Sequence, residues 1–460
     1  MSAGELVSRS LSKMRALMSG APGRPRSPSA RDLDRIRQQL QECADGRGGE
    51  VSTRQRAARL AESYLKLNDS GRHAFLRMIA LEFGPDPASV AQAHADYQGA
   101  VGSDRQWDAE ARLRVAMRSR RLRILTQFNA IPQGVKFLVD LRADLLRFLA
   151  DDPLLKPLDR ELETRLTAWF DVGFLELQRI TWQSPAALLE KLVEYEAVHE
   201  IRSWEDLKNR LDSDRRCYAF FHPRMPLEPL IFVQVALVDS LADDVQKLLD
   251  VEAPLADVSR ANTAIFYSIT STQEGLRGVS FGNFLLKRVV EDLRRDFPRL
   301  RTFSTLSPIP GLVDWAARHP EECAQVLAGA DWKRLAAAGL HGPDSPEMRA
   351  LLEGGSSWAQ DHRLVLALRE PLMHLAAHYL LNAKRNDRPV DPVARFHLGN
   401  GARIERLNWL ADSSAKGLAQ SWGMMVNYLY DPDRIESNLE SFAAEGRIDA
   451  AAAIRRQAKP

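Results

Sequence analysis

Apolar positions in the first third of the chain recur every three or four residues, as in Leu33, Ile36 and Leu40, and again in Val135, Leu138, Leu141, Leu145 and Leu146. That spacing places them on one face of a helix. Asn68-Asp69-Ser70-Gly71, Gly84-Pro85-Asp86-Pro87 and Asp151-Asp152-Pro153 punctuate the pattern as turn signals. The region from 30 to 175 therefore reads as an all-helical bundle, with scaffolding or oligomerisation as its expected role. It holds no run suited to a sheet core.

After Trp182 the period changes. Two capped helices are expected near Ser184 and at Ser203, followed by strands at Cys217–Phe221 and Leu230–Val238. Ala264–Thr270 is rich in β-branched and aromatic residues and reads as a strand. Gly275, Gly278 and Gly282 follow it, just before the helical spacing Phe284, Leu285, Val289, Leu293. A further strand ends in Ser307-Pro308-Ile309-Pro310-Gly311, where two prolines and a glycine stop it. Beyond it, a helical insertion from about 312 to 381 is expected, with Gly354-Gly355-Ser356-Ser357 as its flexible point. Leu372–Leu381 reads as a helix, Val393–His397 and Ile404–Trp409 as strands around Gly399-Asn400-Gly401, and Ile435–Arg455 as one amphipathic helix. Residues 176–460 thus form a second domain in which strands alternate with helices.

Bulk properties narrow the function classes. The chain has 460 residues, 45% hydrophobic and 27% charged, within the range of globular proteins. Its net charge of +2 gives no electrostatic case for nucleic acid. The longest apolar run, Leu230–Val238, is too short for a bilayer, so no membrane role is expected. Cys43, Cys217 and Cys323 lie far apart, without a CxxC pair, which argues against zinc and against a disulfide framework. Residues 1–29 carry Arg9, Lys13, Arg15, Arg24 and Arg26 against Glu5 alone, and read equally as a disordered basic tail or a transit peptide.

The candidate chemistry lies at element edges. A loop whose glycines let backbone N–H groups face a ligand, at a helix start, suits an anion, although a plain tight turn fits the same residues. Its spacing is neither the dinucleotide fingerprint nor the P-loop. Ser307, His397, Glu228, Tyr428 and Tyr430 are the polar groups beside proline or glycine. A serine before proline is more often a turn residue than a nucleophile, and a lone histidine is more often structural. No GxSxG elbow or HExxH is present.

Five segments carry a resemblance: HPRMPLEPLIFVQVAL, FYSITSTQEGLRGVSFGNFLLKRVV, FSTLSPIPG, PVARFHLGNGARIERLNWLAD and GMMVNYLY. In these the chain resembles the malonyl-CoA decarboxylases, over nearly its whole length. The resemblance implies an α+β architecture, in which the helical bundle is followed by a catalytic domain of the acetyltransferase (GNAT) fold. It implies conversion of malonyl-CoA to acetyl-CoA and carbon dioxide through an enolate, with Ser307 and His397 as the catalytic pair. Which of the two delivers the proton is left open. Tyr430 is assigned to orient the pair, and Asn400 is a candidate donor to the enolate oxygen. Gly275, Arg277, Gly278, Val279, Ser280, Phe281, Gly282 and Asn283 are assigned to the CoA pyrophosphate. Some family members carry a glutamate where this chain has Ser280, so a carboxylate there is not essential here. No cofactor or metal is required, since the CoA thioester is itself the substrate and its carbonyl accepts the electrons. A homo-oligomer, a tetramer, is implied. Arginine- and alanine-rich composition points to a bacterial cytosol, with the mitochondrial matrix as alternative. The rival readings are an acyl-CoA-dependent N-acyltransferase, a thioesterase using Ser307 and His397 as nucleophile and base, and a helical interaction protein without turnover.

Overall fold

The computed structural model describes residues 27–46, 49–279, 284–340 and 356–459. They fall into two compact units. The first runs to Leu175 and takes in His222–Pro226 and the described residues 273–279; the second holds the rest.

The first unit is helical. Its helices span Ala30–Asp45, Glu50–Leu65, Asp69–Glu82, Pro87–Ala100, Gln106–Ala116, Arg121–Ala130, Gly134–Phe148 and Lys156–Trp169. Their apolar faces meet in one core that includes Leu40, Leu60, Phe75, Ile79, Phe128, Leu138, Leu141 and Leu162. Each such side chain contributes about 1.5–3 kcal/mol by leaving water. Polar side chains start the helices. Ser29 and Asp32 form a reciprocal capping box, and Asn68 accepts from the Gly71 N–H. The Asn68–Gly71 run, expected as a turn, is therefore the opening of a helix.

The second unit is built on a mixed sheet. Its strands are β1 (Glu176–Ile180), β2 (Arg215–Phe221), β3 (Pro229–Val238), β4 (Thr263–Ser271), β5 (Thr302–Thr305) and β6 (Ser307–Pro308). A separate ribbon of β7 (Lys384–Arg385) and β8 (Arg388–Pro389) follows, then β9 (Arg403–Asn408) and β10 (Met425–Leu429). The order is β1-β2-β3-β4-β5-β10-β6, with β9 also on β10. Strands β1 to β4 are antiparallel; β4 and β5 are parallel, so the chain must cross over between them, and the Phe284–Asp296 helix lies on that crossover. β2 is buried throughout and β3 nearly so, which explains why both read as continuous apolar runs.

Two expected elements differ. Val393–His397 is not a strand but part of the Pro392–Gly399 helix. Asp391 accepts from the Ala394 N–H and Pro392 occupies the first turn, and this start signal outweighs the β preference of Val393 and Phe396. Ile435–Arg455 is two helices, Ile435–Glu445 and Ala452–Gln457. Gly446 ends the first at φ +61, where a Cβ would meet the Asp387 carbonyl at 2.6 Å. After Gly311 the insertion is helical, at Leu312–Arg318, Pro320–Val326, Gly329–Ala337 and His362–Asn382. The Gly354-Gly355 part of its expected flexible point lies outside the described residues. All three cysteines are buried and free.

Candidate active site

β5 and β6 are one strand interrupted at Leu306, and β10 pairs with both halves, placing Leu429 opposite Ser304 and Val426 opposite Ser307. Ser307 and Thr305, two residues apart, carry their side chains on the same face. Ser307 donates to Thr305 Oγ1 at 2.8 Å, and Thr305 Oγ1 also accepts the Tyr428 N–H at 3.1 Å. The Asn427 amide donates to the Thr305 carbonyl at 2.7 Å, so this residue is tied to β10 by backbone and side chain alike.

His397 arrives from the last turn of the Pro392–Gly399 helix. Its Nε2 lies 3.1 Å from Ser307 Oγ and its Nδ1 lies 2.7 Å from the Tyr430 hydroxyl. The Tyr428 ring stacks on the imidazole, centroids 4.6 Å apart and planes 25° from parallel. Ser307, His397, Tyr428 and Tyr430 are all buried. Burial pushes the His397 pKa down to about 3 and holds both tyrosines well above the ordinary phenol value. Imidazole and phenols are therefore neutral at physiological pH. Because the Ser307 hydroxyl hydrogen is directed at Thr305, its lone pairs face the imidazole. The consistent hydrogen arrangement is Tyr430 O–H to Nδ1, Nε2–H to Ser307 Oγ, and Oγ–H to Thr305. Such a one-way chain can hand a proton to a base placed at Ser307.

The other assigned residues divide. Asn400 is not among the hydrogen-bonded three: its amide donates to the Phe396 carbonyl at 2.6 Å and closes its own helix. Glu228 is paired with Lys191, so it bounds the start of β3 as an ion pair. Tyr428 lies against His397, its hydroxyl without a partner among the described residues.

The glycine-rich loop belongs to the helical unit. Arg142, almost fully buried on the Gly134–Phe148 helix, donates to the Gly275 carbonyl at 3.0 Å and the Arg277 carbonyl at 2.8 Å. Its Nε is held by Asp159 at 2.9 Å. A Cβ on Gly275 would lie 1.8 Å from the Val139 carbonyl, so only glycine fits. Gly278 has φ +87, with Glu163 Oε1 at 2.8 Å from any added Cβ. The N–H groups of Arg277 and Val279 are spent on Glu274 and Leu276 within the turn. Gly278 is the residue between them, and its N–H has no part in those two bonds. Ser280, Phe281, Gly282 and Asn283 lie outside the described residues. Arg142 and Thr305 were missed from sequence: Arg142 acts 133 residues from Gly275, beyond any local pattern. Thr305 carried a signal, an alternate polar position two residues before Ser307 on the same strand face.

Among the described residues no group of three or more His, Cys, Asp or Glu could hold a metal ion, and no helix is long and apolar enough to cross a membrane.

Comparison with known proteins gives the enzyme class: the chain is a decarboxylase, a carboxy-lyase. Family models described as the malonyl-CoA decarboxylase N-terminal and C-terminal domains match residues 83–170 and 173–460. The chain belongs to the malonyl-CoA decarboxylase family. The mitochondrial malonyl-CoA decarboxylase of Anser anser anser is 38% identical over 410 residues, covering 86% of this chain and 81% of that protein. The enzyme of Rattus norvegicus is 38% identical over 400 residues, 83% of this chain and 81% of that protein. The crystal structure of malonyl-CoA decarboxylase from Rhodopseudomonas palustris, 41% identical, superposes with a TM-score of 0.84 over 94% of this chain and all (100%) of that one.

Proposed function

We propose that this chain decarboxylates malonyl-CoA with Ser307, His397 and Tyr430 as its proton-delivering chain. The bond between the α-carbon and the carboxylate breaks, its electron pair enters the thioester carbonyl as an enolate, and carbon dioxide leaves. The enolate carbon then takes a proton from Ser307, whose hydroxyl turns from Thr305 towards it. Nε2–H follows onto Ser307 and Tyr430 O–H onto Nδ1, so the histidine never becomes an anion. One proton from solvent, entering through Ser307, then restores Nε2–H as Nδ1–H returns to Tyr430, so each turnover ends on the starting arrangement. The phenol is a weak acid here, yet an enolate carbon is a far stronger base. General acid catalysis of this kind supplies about 10²–10⁴-fold.

The observation that carries this reading is the pair of distances at His397, 3.1 Å to Ser307 and 2.7 Å to Tyr430, in a buried, neutral setting. It favours proton delivery over nucleophilic attack, because the serine hydroxyl hydrogen is directed away from the imidazole. The loop at 273–279, with Gly278 as its amide donor and Arg277 as an exposed cation, is assigned to the CoA phosphates. Ser280, Phe281, Gly282 and Asn283 continue that assignment on sequence grounds. A homo-oligomer in a bacterial cytosol or a mitochondrial matrix completes the reading, without metal or cofactor.

Incubation with malonyl-CoA alone tests it. Carbon dioxide and acetyl-CoA in equal amounts are expected; free CoA would indicate a thioesterase, and dependence on an added amine an acyltransferase.

A further inference from the structure

One carboxylate outside the proton chain ties together the two segments that supply it. Asp391 is fully buried and stands at the N-terminus of the helix that carries His397. Its Oδ1 accepts the Ala394 N–H at 2.8 Å. Gly311, four residues beyond Ser307 and at the end of the Ser-Pro-Ile-Pro-Gly turn, borders the same carboxylate, and its N–H helps to hold the Asp391 pKa down. Tyr379, on the His362–Asn382 helix, donates to Oδ2 at 3.4 Å. The serine segment, the histidine helix and the insertion helix thus converge on one side chain. Space there is tight: a Cβ on Gly311 would lie 2.5 Å from the Tyr379 hydroxyl and 3.9 Å from Asp391 Oδ2.

We infer that Asp391 is a positioning residue that sets the separation of Ser307 and His397, by binding the Gly311 end of the serine segment to the first turn of the histidine helix. The inference rests on the proposed role of that pair. A displacement of about 1 Å between reacting groups can cost on the order of 10²-fold in rate, so a small movement of this carboxylate is enough. No substrate contact is assigned to Asp391, and its effect belongs in kcat rather than KM.

Its ionisation should be visible. Burial, the largest influence, raises the Asp391 pKa from 3.8 to about 6, against the opposing pull of its N–H donors and Tyr379. The titratable groups facing it are Tyr379 and Tyr428, both neutral phenols; Arg318 and Arg395 act on Tyr379. Protonation turns one oxygen into a donor, which an N–H of Gly311 cannot match.

Asp391→Asn keeps one acceptor oxygen and volume but puts an amide donor at the other position. Expected are a kcat at least about tenfold lower, a KM within about twofold, and no acid limb near pH 6 in kcat, where the unmodified enzyme is expected to have one. Wild-type kcat with an unchanged pH profile would overturn the inference. So would a lower melting temperature with undiminished kcat for the folded protein. If that variant does not fold, Gly311→Ala decides: its lowered kcat should be restored by Tyr379→Phe, which removes the clashing hydroxyl. Undiminished kcat in Gly311→Ala, or no rescue, overturns it. His397→Asn run alongside separates the two claims, since a fully active His397→Asn refutes the catalytic pair itself, whereas an inactive His397→Asn beside a fully active Asp391→Asn refutes only the positioning role.

Discussion

The loop at 273–279 and the Ser307–His397 pair are each preorganised, but by opposite means. In the loop the backbone is the constrained part: Arg142 holds two of its carbonyls, turn bonds consume two N–H groups, and Gly275 and Gly278 occupy positions that exclude a side chain. At the pair the side chains are constrained, in a buried chain of neutral hydrogen bonds from Tyr430 to Thr305. The difference teaches where binding and chemistry should separate. In the proposed function the loop, held through its backbone, would present donors to the unreacting end of the substrate, which act equally on ground and transition states. A buried chain of side chains acts only when a proton moves. Substitutions in the first should raise KM or Kd, and substitutions in the second should lower kcat.

The largest effect is expected at the histidine. His397→Asn removes the proton path and should lower kcat by about 10³-fold or more while leaving the Kd for CoA within about twofold. Single-turnover kinetics beside equilibrium binding measures both. A loss shared equally by kcat and affinity would break the comparison. Next comes Tyr430→Phe, which keeps the ring and removes the terminal donor. A fall in kcat of roughly 10- to 100-fold is expected, with KM nearly constant.

In the loop the expected effects move to binding. Gly278→Val forces a β-branched side chain into φ +87 beside Glu163 and should weaken CoA by about tenfold or more in calorimetry, with kcat at saturation largely retained. Smaller again is Arg142→Lys. One ammonium cannot span the Gly275 and Arg277 carbonyls and Asp159 together, so KM should rise by a few fold. A selective fall in kcat for either variant would merge the two regions into one functional unit.

Acid stability separates them as well. The His397 pKa falls from 6.5 to about 3 on folding, so between those values the unfolded chain binds a proton that the folded one does not, and stability rises with pH across that window. Asp391, raised from 3.8 to about 6, has the opposite sign between its two values. Thermal melts of His397→Asn should therefore lose less stability than the parent as pH falls from about 6.5 to 4. An identical pH slope in the two would contradict a neutral buried imidazole.

How much of this was legible in the sequence follows from the range of each interaction. β4, the glycine cluster and the strand end at Ser307 were readable because period, glycine and proline act within a few residues. The helix under His397 was not read, since Val393 and Phe396 look strand-like when the Asp391-Pro392 start signal is passed over. That signal was local and available. Asn400 reads as a turn donor, and one N–H of its amide is bonded to the Phe396 carbonyl. The meeting of Ser307 with His397 spans 90 residues, and no periodicity reports it; the resemblance supplied it, and the geometry brings the two side chains together. Arg142 and Gly275 had neither a local pattern nor a resemblance to link them.

The neutral, one-way proton chain is the centre of the account, and nitrogen NMR of the histidine-labelled protein addresses it most directly. The His397 ring should remain neutral between about pH 5 and 8, with its proton on Nε2. A ring that titrates near 6.5, or that carries its proton on Nδ1, would contradict the account.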